Sequence, residues 1–380
     1  MSDKRVTYLI GAGASANALP VVNKIDDRMK IFLRYALQYK ESKNVSNLFK
    51  LILEHSTVDT LAKKLFLKQD LYNYNLLKEL LTSFFLFEQS KKDDIVINNY
   101  IKNMFERDEF VKENIDDSDI KDKRKQYNDL CRSISNRIDY RYDSFFATLL
   151  EGISSNLNLP SNINVVSWNY DNQMELAYSE YLIERKTLFP IQAFLNIYPS
   201  AHKFDRDKSA IIKLNGTATY LDHADEKYHD PVLGYIDAEA KKRFLKLNDD
   251  STRYGTNIKF AWEDDGEVKK AREYASQIIS ESDVIVIIGY SFPTFNREVD
   301  RQIFDKFNKS CYVDTFKTII NKDRIPEKID FRKVQKKIYI QDLPQNVYKI
   351  KERLKAVGDK LFDVAEIYDE VDQFFIPPEL

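Results

Sequence analysis

The chain has 380 residues, of which 43% are hydrophobic and 31% charged, so it is long enough for one large globular domain or two of ordinary size. Its formal net charge of −2 gives no general attraction to nucleic acid or to a membrane, and we expect neither as a direct partner. Two cysteines are too few for a disulfide framework or a four-cysteine zinc site, and no apolar stretch approaches the roughly 20 residues of a membrane span.

The first predicted element is a strand at Arg5–Ile10, which begins so early that we expect no signal peptide and a cytoplasmic, reduced protein. A glycine-rich turn, Gly11–Ser15, and alanine-rich sequence follow it. A strand, the pattern G-x-G-x-x-G/A and a helix form the dinucleotide-binding arrangement. Gly11 would allow the tight turn, Gly13 would let the backbone approach a pyrophosphate, and Ala16 would let the helix pack on the strand. The alternative is a tight strand–helix turn that binds nothing.

A long region of different character follows, with apolar residues at three- and four-residue spacing among many charges. This spacing is typical of amphipathic helices. We predict helices at Arg28–Tyr39, Asp59–Phe66, Leu76–Phe87 and Tyr127–Leu149. Because ordinary connections between elements are far shorter, the sequence predicts an all-helical insertion, residues 24–159, after the first strand–helix unit.

Strand-like runs return in the second half of the chain, and some are almost continuously apolar, which favours a parallel sheet covered on both faces. We predict strands at Ile163–Trp168, Ala210–Leu214, Val284–Ile288, Lys309–Val313 and Lys337–Ile340, with helices at Glu267–Ser280 and Asn346–Val357. The expected fold is α/β, a Rossmann-like parallel sheet formed by residues 1–23 and 160–345. Residues 346–380 would form a C-terminal helix and a tail, loose or docked, that ends at Ile376–Leu380.

Three further motifs stand at the ends of predicted strands, where open α/β sheets bind ligands. The first carries Asn169 and Asp171, the second carries Asn215, and the third is the glycine turn Gly289–Ser291. Each has an alternative interpretation, because Asn and Asp after a strand often cap the next helix and Gly-x-Ser often only turns the chain.

In this order the motifs resemble those of the SIR2 (sirtuin) superfamily, a Rossmann-type fold that cleaves NAD at the nicotinamide–ribose bond. Gly11–Ser15 is similar to the family's G-A-G-x-S turn, Ser167–Asp171 to its T-Q-N-I-D motif, and Gly289–Ser291 to its later G-T-S. Lys213–Gly216 lies where the family has L-H-G. The resemblance covers residues 5–22 and about 160–345, so the helical insertion has no counterpart.

The resemblance implies that NAD is the substrate. Because two cysteines cannot form the four-cysteine zinc module of the family's deacylases, we expect neither zinc nor another metal. Asn169 would hold the ribose and the attacking water, and Asp171 would contact the nicotinamide carboxamide. The other residues implied to bind NAD are Gly11, Ala12, Gly13 and Ser15 for the pyrophosphate, and Gly289 and Ser291 for the adenosine side.

Asn215 departs from the family pattern. Deacylating members use the L-H-G histidine as a general base, whereas an amide does not accept a proton at working pH. Asn215 would still hydrogen-bond a ribose hydroxyl. The four histidines lie elsewhere in the sequence, at His55, His202, His223 and His229. The zinc module and the D-F-R segment of the deacylases are also missing, so the sequence argues against acyl-lysine removal.

Without deacylase features, the chain is similar to SIR2-like NAD hydrolases of bacterial anti-phage defence, which implies an NAD-depleting effector. Such proteins form homo-oligomers or act with a second component, in some systems a HerA-like ATPase. Two other hypotheses remain open: a non-catalytic sensor or assembly subunit that binds NAD or ADP-ribose, and a protein–protein scaffold. Three outcomes distinguish these hypotheses. Nicotinamide release from NAD would favour the hydrolase, and tight binding without turnover would favour the sensor. Absence of stabilisation by any adenine dinucleotide would favour the scaffold.

Overall fold

The structure of the protein is a computed structural model. It describes residues 4–21, 24–25, 27–29, 32–33, 43–55, 57–90, 137–153, 157–183, 188–200, 203–220, 255–310, 312–314, 331–333, 336–357, 363–368 and 371–380. The strands are β1 (Val6–Ile10), β2 (Ile163–Ser167), β3 (Ile197–Tyr198), β4 (Ile211–Lys213), β5 (Gly216–Tyr220), β6 (Thr256–Ile258), β7 (Val284–Ile288), β8 (Tyr312–Asp314), β9 (Phe331–Lys333), β10 (Lys337–Gln341) and β11 (Asp363–Ile367). The α-helices are α1 (Lys43–Glu54), α2 (Val58–Leu67), α3 (Leu71–Gln89), α4 (Tyr140–Leu149), α5 (Gln173–Ser179), α6 (Leu188–Phe194), α7 (Gly266–Glu281), α8 (Arg297–Ser310) and α9 (Pro344–Lys355).

Seven strands form one parallel sheet in the order β11-β10-β7-β1-β2-β4-β3. Apart from the short β3, this is the 3-2-1-4-5-6 order of doubly wound dinucleotide-binding sheets. Two antiparallel ribbons, β5–β6 and β8–β9, lie outside it. The predicted α/β class and parallel sheet are confirmed, and the strand order is compatible with a Rossmann-like fold.

Helices cover both faces of this sheet because consecutive residues of each strand point to opposite sides. In β7, Val284, Val286 and Ile288 pack in the core that contains α4, α5 and α6. Ile285 and Ile287 pack in the core that contains α7, α8 and α9. All five side chains are buried, which stabilises the fold by about 1.5–3 kcal/mol for each one.

The helices between β1 and β2 divide between two cores. Helices α1, α2 and α3 pack with the β5–β6 ribbon around Phe84 and Phe260. Helix α4 instead packs on the sheet beside Tyr8. The helices predicted at Asp59–Phe66 and Leu76–Phe87 are confirmed within α2 and α3, whereas the insertion and the domain boundaries stay predictions.

Two expectations from the sequence need correction. Lys309 and Ser310 end α8, so the strand predicted at Lys309–Val313 is reduced to β8, which pairs with β9 outside the main sheet. The C-terminal region adds an unforeseen strand, β11, at the sheet edge. The final segment is docked, because Phe374 is buried in the sheet core and the Glu379 carboxylate accepts from the Tyr339 hydroxyl.

Candidate functional site

The four motifs meet at the carboxyl edge of the sheet. Ile10 is in register with Ser167 of β2 and Ile288 of β7, and Ser167 is in register with Lys213 of β4. The residues that follow these four positions therefore leave the sheet at the same level, on the edge where open α/β sheets bind ligands. The strand ends predicted from the sequence are thus brought together.

The glycine turn after β1 is joined backbone to backbone with the loop after β7. The Gly11 amide donates to the Ile288 carbonyl at 3.0 Å, and the Gly13 amide donates to the Gly289 carbonyl at 2.9 Å. A Cβ on Gly13 would lie 2.6 Å from the Gly289 Cα, and Gly289 has a φ of +59°. Both loops therefore need glycine for this close approach, whatever they bind.

This arrangement limits how the turn would hold a pyrophosphate. The Gly11 and Gly13 amides are already used by the β7 strand and loop, so a phosphate would depend on other groups, such as the half-buried Ala12. The helix expected after the turn is a four-residue 3-10 turn, Ala12–Ser15. Ala16, expected to pack against the strand, is exposed, and Ala14 is buried in its place.

Beside the turn, Ser15, Asn169 and Asp171 form a buried polar cluster. The Ser15 hydroxyl donates to Asp171 Oδ2 at 2.7 Å, and Asn169 Nδ2 lies 3.0 Å from the Gly11 carbonyl and 3.3 Å from Ser15 Oγ. The Tyr142 hydroxyl of α4 lies 3.1 Å from Ser15 Oγ. Each of these side chains is less than 10% exposed, so three predicted site residues and one unforeseen tyrosine form one hydrogen-bonded unit.

The charge on Asp171 is opposed by burial and supported by its neighbours. Burial raises the pKa of its carboxyl group, while the Lys213 ammonium, the Ser15 hydroxyl and the Gln173 amide act in the opposite direction. The Glu175 carboxylate adds a smaller upward influence on the same pKa. The charge of the Asp171 carboxyl group therefore depends on Lys213, Ser15 and Gln173.

Asn215 lies at the start of the β5 ribbon and is 6% exposed. Its Nδ2 donates to the Trp168 carbonyl at 3.0 Å, and its buried Oδ1 has no hydrogen-bond partner within the described residues. Such an orphaned acceptor is costly without a partner, and a ribose hydroxyl would satisfy it. The residue fits hydrogen bonding to a sugar better than proton removal.

The third motif continues into a buried aromatic and acidic group. The ring of Tyr290 stacks on Trp168 with centroids 5.8 Å apart, and its hydroxyl donates to Asp300 Oδ2 at 2.8 Å. Burial raises the pKa of Asp300 to about 8. Ser291 is exposed, and its carbonyl accepts from Arg353. Gly289 thus joins the glycine turn directly, whereas the Ser291 side chain lies outside the buried cluster.

Sequence reasoning missed three residues that build this site. Arg141 donates to the Gly13 and Ala14 carbonyls at 2.9 and 3.1 Å and pairs with Asp139 at 2.6 Å. Neither Arg141 nor Tyr142 gives a sequence signal, because α4 lies far along the chain from the glycine turn. Lys213 did give one, since a lysine in an otherwise apolar strand is unusual.

Of the histidines and cysteines, His55 alone lies within the described residues. His55 lies at the end of α1, where its ring contacts Leu51 and Lys64. The other three histidines and both cysteines lie outside the described residues. No group of three or more His, Cys, Asp or Glu in the described ranges is placed to hold a metal ion. None of the helices in the described ranges has the length and apolar character that crossing a bilayer requires.

A cavity of about 410 Å³ lies at the opposite, amino, edge of the sheet, where Arg5, Asn164 and Arg206 are among its lining residues. It contains none of the four motifs. We assign the candidate site to the carboxyl edge, because the strand order and the buried polar cluster both point there. Comparisons of the chain with protein-family models, with curated proteins and with solved structures found no match.

Proposed function

We propose that this protein binds NAD at the carboxyl edge of its sheet and hydrolyses the nicotinamide–ribose bond. The observation that carries the proposal is the hydrogen-bonded unit of Ser15, Asn169 and Asp171 beside the glycine turn. These residues belong to two neighbouring strand ends in a sheet of dinucleotide-binding order. A buried Ser–Asn–Asp unit is not needed to turn a chain, so a ligand role explains it better.

Hydrolysis of the nicotinamide–ribose bond requires little proton transfer by the protein. As the C–N bond breaks, its electron pair goes to the positively charged nicotinamide ring, which becomes neutral. Water adds to the ribose carbon and releases one proton to the solvent, giving ADP-ribose. The site must hold the ribose, exclude bulk water and position one water molecule. Asn169 would orient the ribose and that water, Asp171 would accept from the carboxamide, and Asn215 Oδ1 would accept from a ribose hydroxyl.

A second candidate function is a sensor that binds NAD or ADP-ribose without cleaving it. The specific observation in its favour is Asn215, which stands where a general base would be and already uses its Nδ2 on the Trp168 carbonyl. On either function, assembly into homo-oligomers, a HerA-like partner and a place in anti-phage defence are proposals that rest on the SIR2 resemblance alone.

The test is release of nicotinamide from NAD by the parent and by Asn169→Ala. We expect the variant to lose at least about 100-fold in kcat/KM, because ribose and water are no longer oriented. The matched control is Asn162→Ala at the amino edge, whose Nδ2 donates to the Lys4 carbonyl at 3.0 Å. It loses an equivalent amide–carbonyl bond beside β1 and should keep parental activity.

Calorimetry with NAD and ADP-ribose completes the test. Binding to the parent without nicotinamide release would replace hydrolysis by the sensor function. Absence of both binding and release would overturn both functions. Equal release by the parent and Asn169→Ala would remove Asn169 from the mechanism.

A further inference from the structure

Lys213 is a buried cation directly beneath the candidate site. It ends β4, is 2% exposed, and donates from Nζ to the Asp171 carbonyl oxygen at 2.8 Å and to Glu175 Oε1 at 2.6 Å. Glu175 lies on α5 and is fully buried, and its Oε2 has no hydrogen-bond partner within the described residues. The only part of Asp171 that Lys213 binds directly is thus the backbone, while its charge acts on the carboxylate nearby.

A buried ion pair is weak evidence for a stabilising role, because the cost of desolvating two charges often exceeds their attraction. Apolar side chains fill most positions of this sheet at lower cost, so the retained charges call for another explanation. One ammonium lies among two carboxylates, Asp171 and Glu175, which makes the electrostatic environment of Asp171 sensitive to either neighbour.

We propose that Lys213, balanced by Glu175, is a positioning residue that keeps Asp171 in its carboxylate form and fixes its backbone. This inference rests on the proposed function, in which the Asp171 carboxylate accepts a hydrogen bond from the carboxamide of nicotinamide. A protonated Asp171 would offer a weaker acceptor and compete through its own proton. Lys213 touches neither NAD nor water in this role and acts through Asp171.

The groups that face Asp171 come from three packed elements. Lys213 belongs to β4, Glu175 to α5, and Tyr142, which shares the Ser15 hydroxyl with Asp171, to α4. The Asp139–Arg141 pair lies one step further, beside Tyr142. Burial keeps Tyr142 neutral by raising its pKa well above the ordinary value. Lys213 and Glu175 are therefore the charged residues to substitute in order to test the protonation of Asp171.

The experiment measures nicotinamide release against pH in the parent, in Glu175→Gln and in the double variant Lys213→Met/Glu175→Gln. In Glu175→Gln, the Lys213 charge acts on Asp171 without the opposing Glu175 carboxylate. The acidic limb of the pH profile of nicotinamide release should therefore move to lower pH. Removing both charges takes away the larger of the two influences, so the limb should move to higher pH, by roughly one unit or more. Lys213→Met alone is avoided, because it would leave Glu175 buried without a cation. In Glu175→Gln the nearby Asp171 carboxylate remains as a counter-charge for Lys213.

A second measurement needs no catalysis. The difference in Tm between each of these three proteins and its own Asp171→Asn derivative, followed from pH 4 to pH 9 without NAD, reports the protonation of Asp171. Its midpoint should shift in the same two directions. If the parent releases no nicotinamide at any pH, the hydrolase function fails while this measurement still tests Lys213. Unshifted midpoints in both variants would overturn the inference and leave Lys213 a structural residue.

Discussion

The two edges of the central sheet are built from opposite kinds of polar contact. At the carboxyl edge, polar side chains are buried and hydrogen-bonded to one another, as in the pair of Lys213 and Glu175. At the amino edge, charged side chains are exposed, and the pair between Arg5 and Glu281 has side chains that are 56% and 45% exposed. The cavity of about 410 Å³ opens at this second edge.

The difference shows where the chain maintains costly structure. Buried polar groups are costly without partners, and their hydrogen bonds hold side chains within narrow limits. In exposed ion pairs, water and salt screen most of the attraction between the two charges, so these pairs restrict the positions of their side chains very little. A large cavity is therefore weaker evidence for a candidate site than a small cluster of buried, hydrogen-bonded polar side chains. Substitutions at the two edges should differ accordingly.

The largest effect is expected at Gly289. Replacement by alanine would put a Cβ 2.3 Å from the Ala14 nitrogen and 2.4 Å from the Gly13 carbonyl carbon, at a φ of +59°. Because these neighbours are backbone atoms, we expect a loss of about 3–5 kcal/mol in the free energy of unfolding. Urea unfolding followed by circular dichroism measures it.

The matched control for this substitution is Gly266→Ala at the start of α7. A Cβ at Gly266 would meet no heavy atom within 4 Å, so the change should stay within about 0.5 kcal/mol. Equal urea midpoints for the two variants would show that the glycine turn and the β7 loop do not pack as described.

The next effect, which depends on pH, is expected at Asp300. Its pKa in the folded protein is raised to about 8 by burial, so its ionisation disfavours the folded state. The stability contributed by protonated Asp300 is fully present below the pKa of the unfolded state, near 4. It is lost as pH rises towards 8, at up to about 1.4 kcal/mol per pH unit. Asp300→Asn, which keeps an acceptor for Tyr290, should gain on the parent as pH rises from 5 to 8.

Thermal unfolding of the parent and Asp300→Asn across that range measures the gain. A stability difference that does not change with pH would mean that Asp300 does not titrate there, and that Tyr290 is not held by a carboxyl group whose charge changes.

The smallest effect is expected at the amino edge. Arg5→Ala removes the exposed pair with Glu281, and we expect a change of about 0–1 kcal/mol in the free energy of unfolding, reduced further at high salt. Nicotinamide release, if present, should be unaffected. A loss comparable to that of Gly289→Ala would reverse the comparison and assign the demanding structure to the amino edge.

The sequence predicted most strands of the sheet and the edge at which the four motifs meet. Continuous apolar runs such as Val284–Ile288 predict buried parallel strands, and polar residues directly after such runs, such as Asn169, must gather at one edge.

The sequence was not sufficient for contacts made across long separations. No local pattern indicates that Arg141 binds the Gly13 carbonyl, or that Gly289 uses the Gly13 amide. Whether a glycine is needed for a ligand or for a neighbouring backbone depends on tertiary packing alone. Short elements such as β3, with two residues, carry too few positions to show a period.

The position of β1 in the sheet has a consequence for the order of synthesis. This central strand lies between β2, which begins at Ile163, and β7, which begins at Val284. At the usual rate of roughly 5–20 residues per second, β1 waits tens of seconds on the ribosome before its second neighbour exists. The strand ends of the carboxyl edge therefore cannot meet until β7 has been synthesised, so a chain that stops before Val284 lacks part of the candidate site.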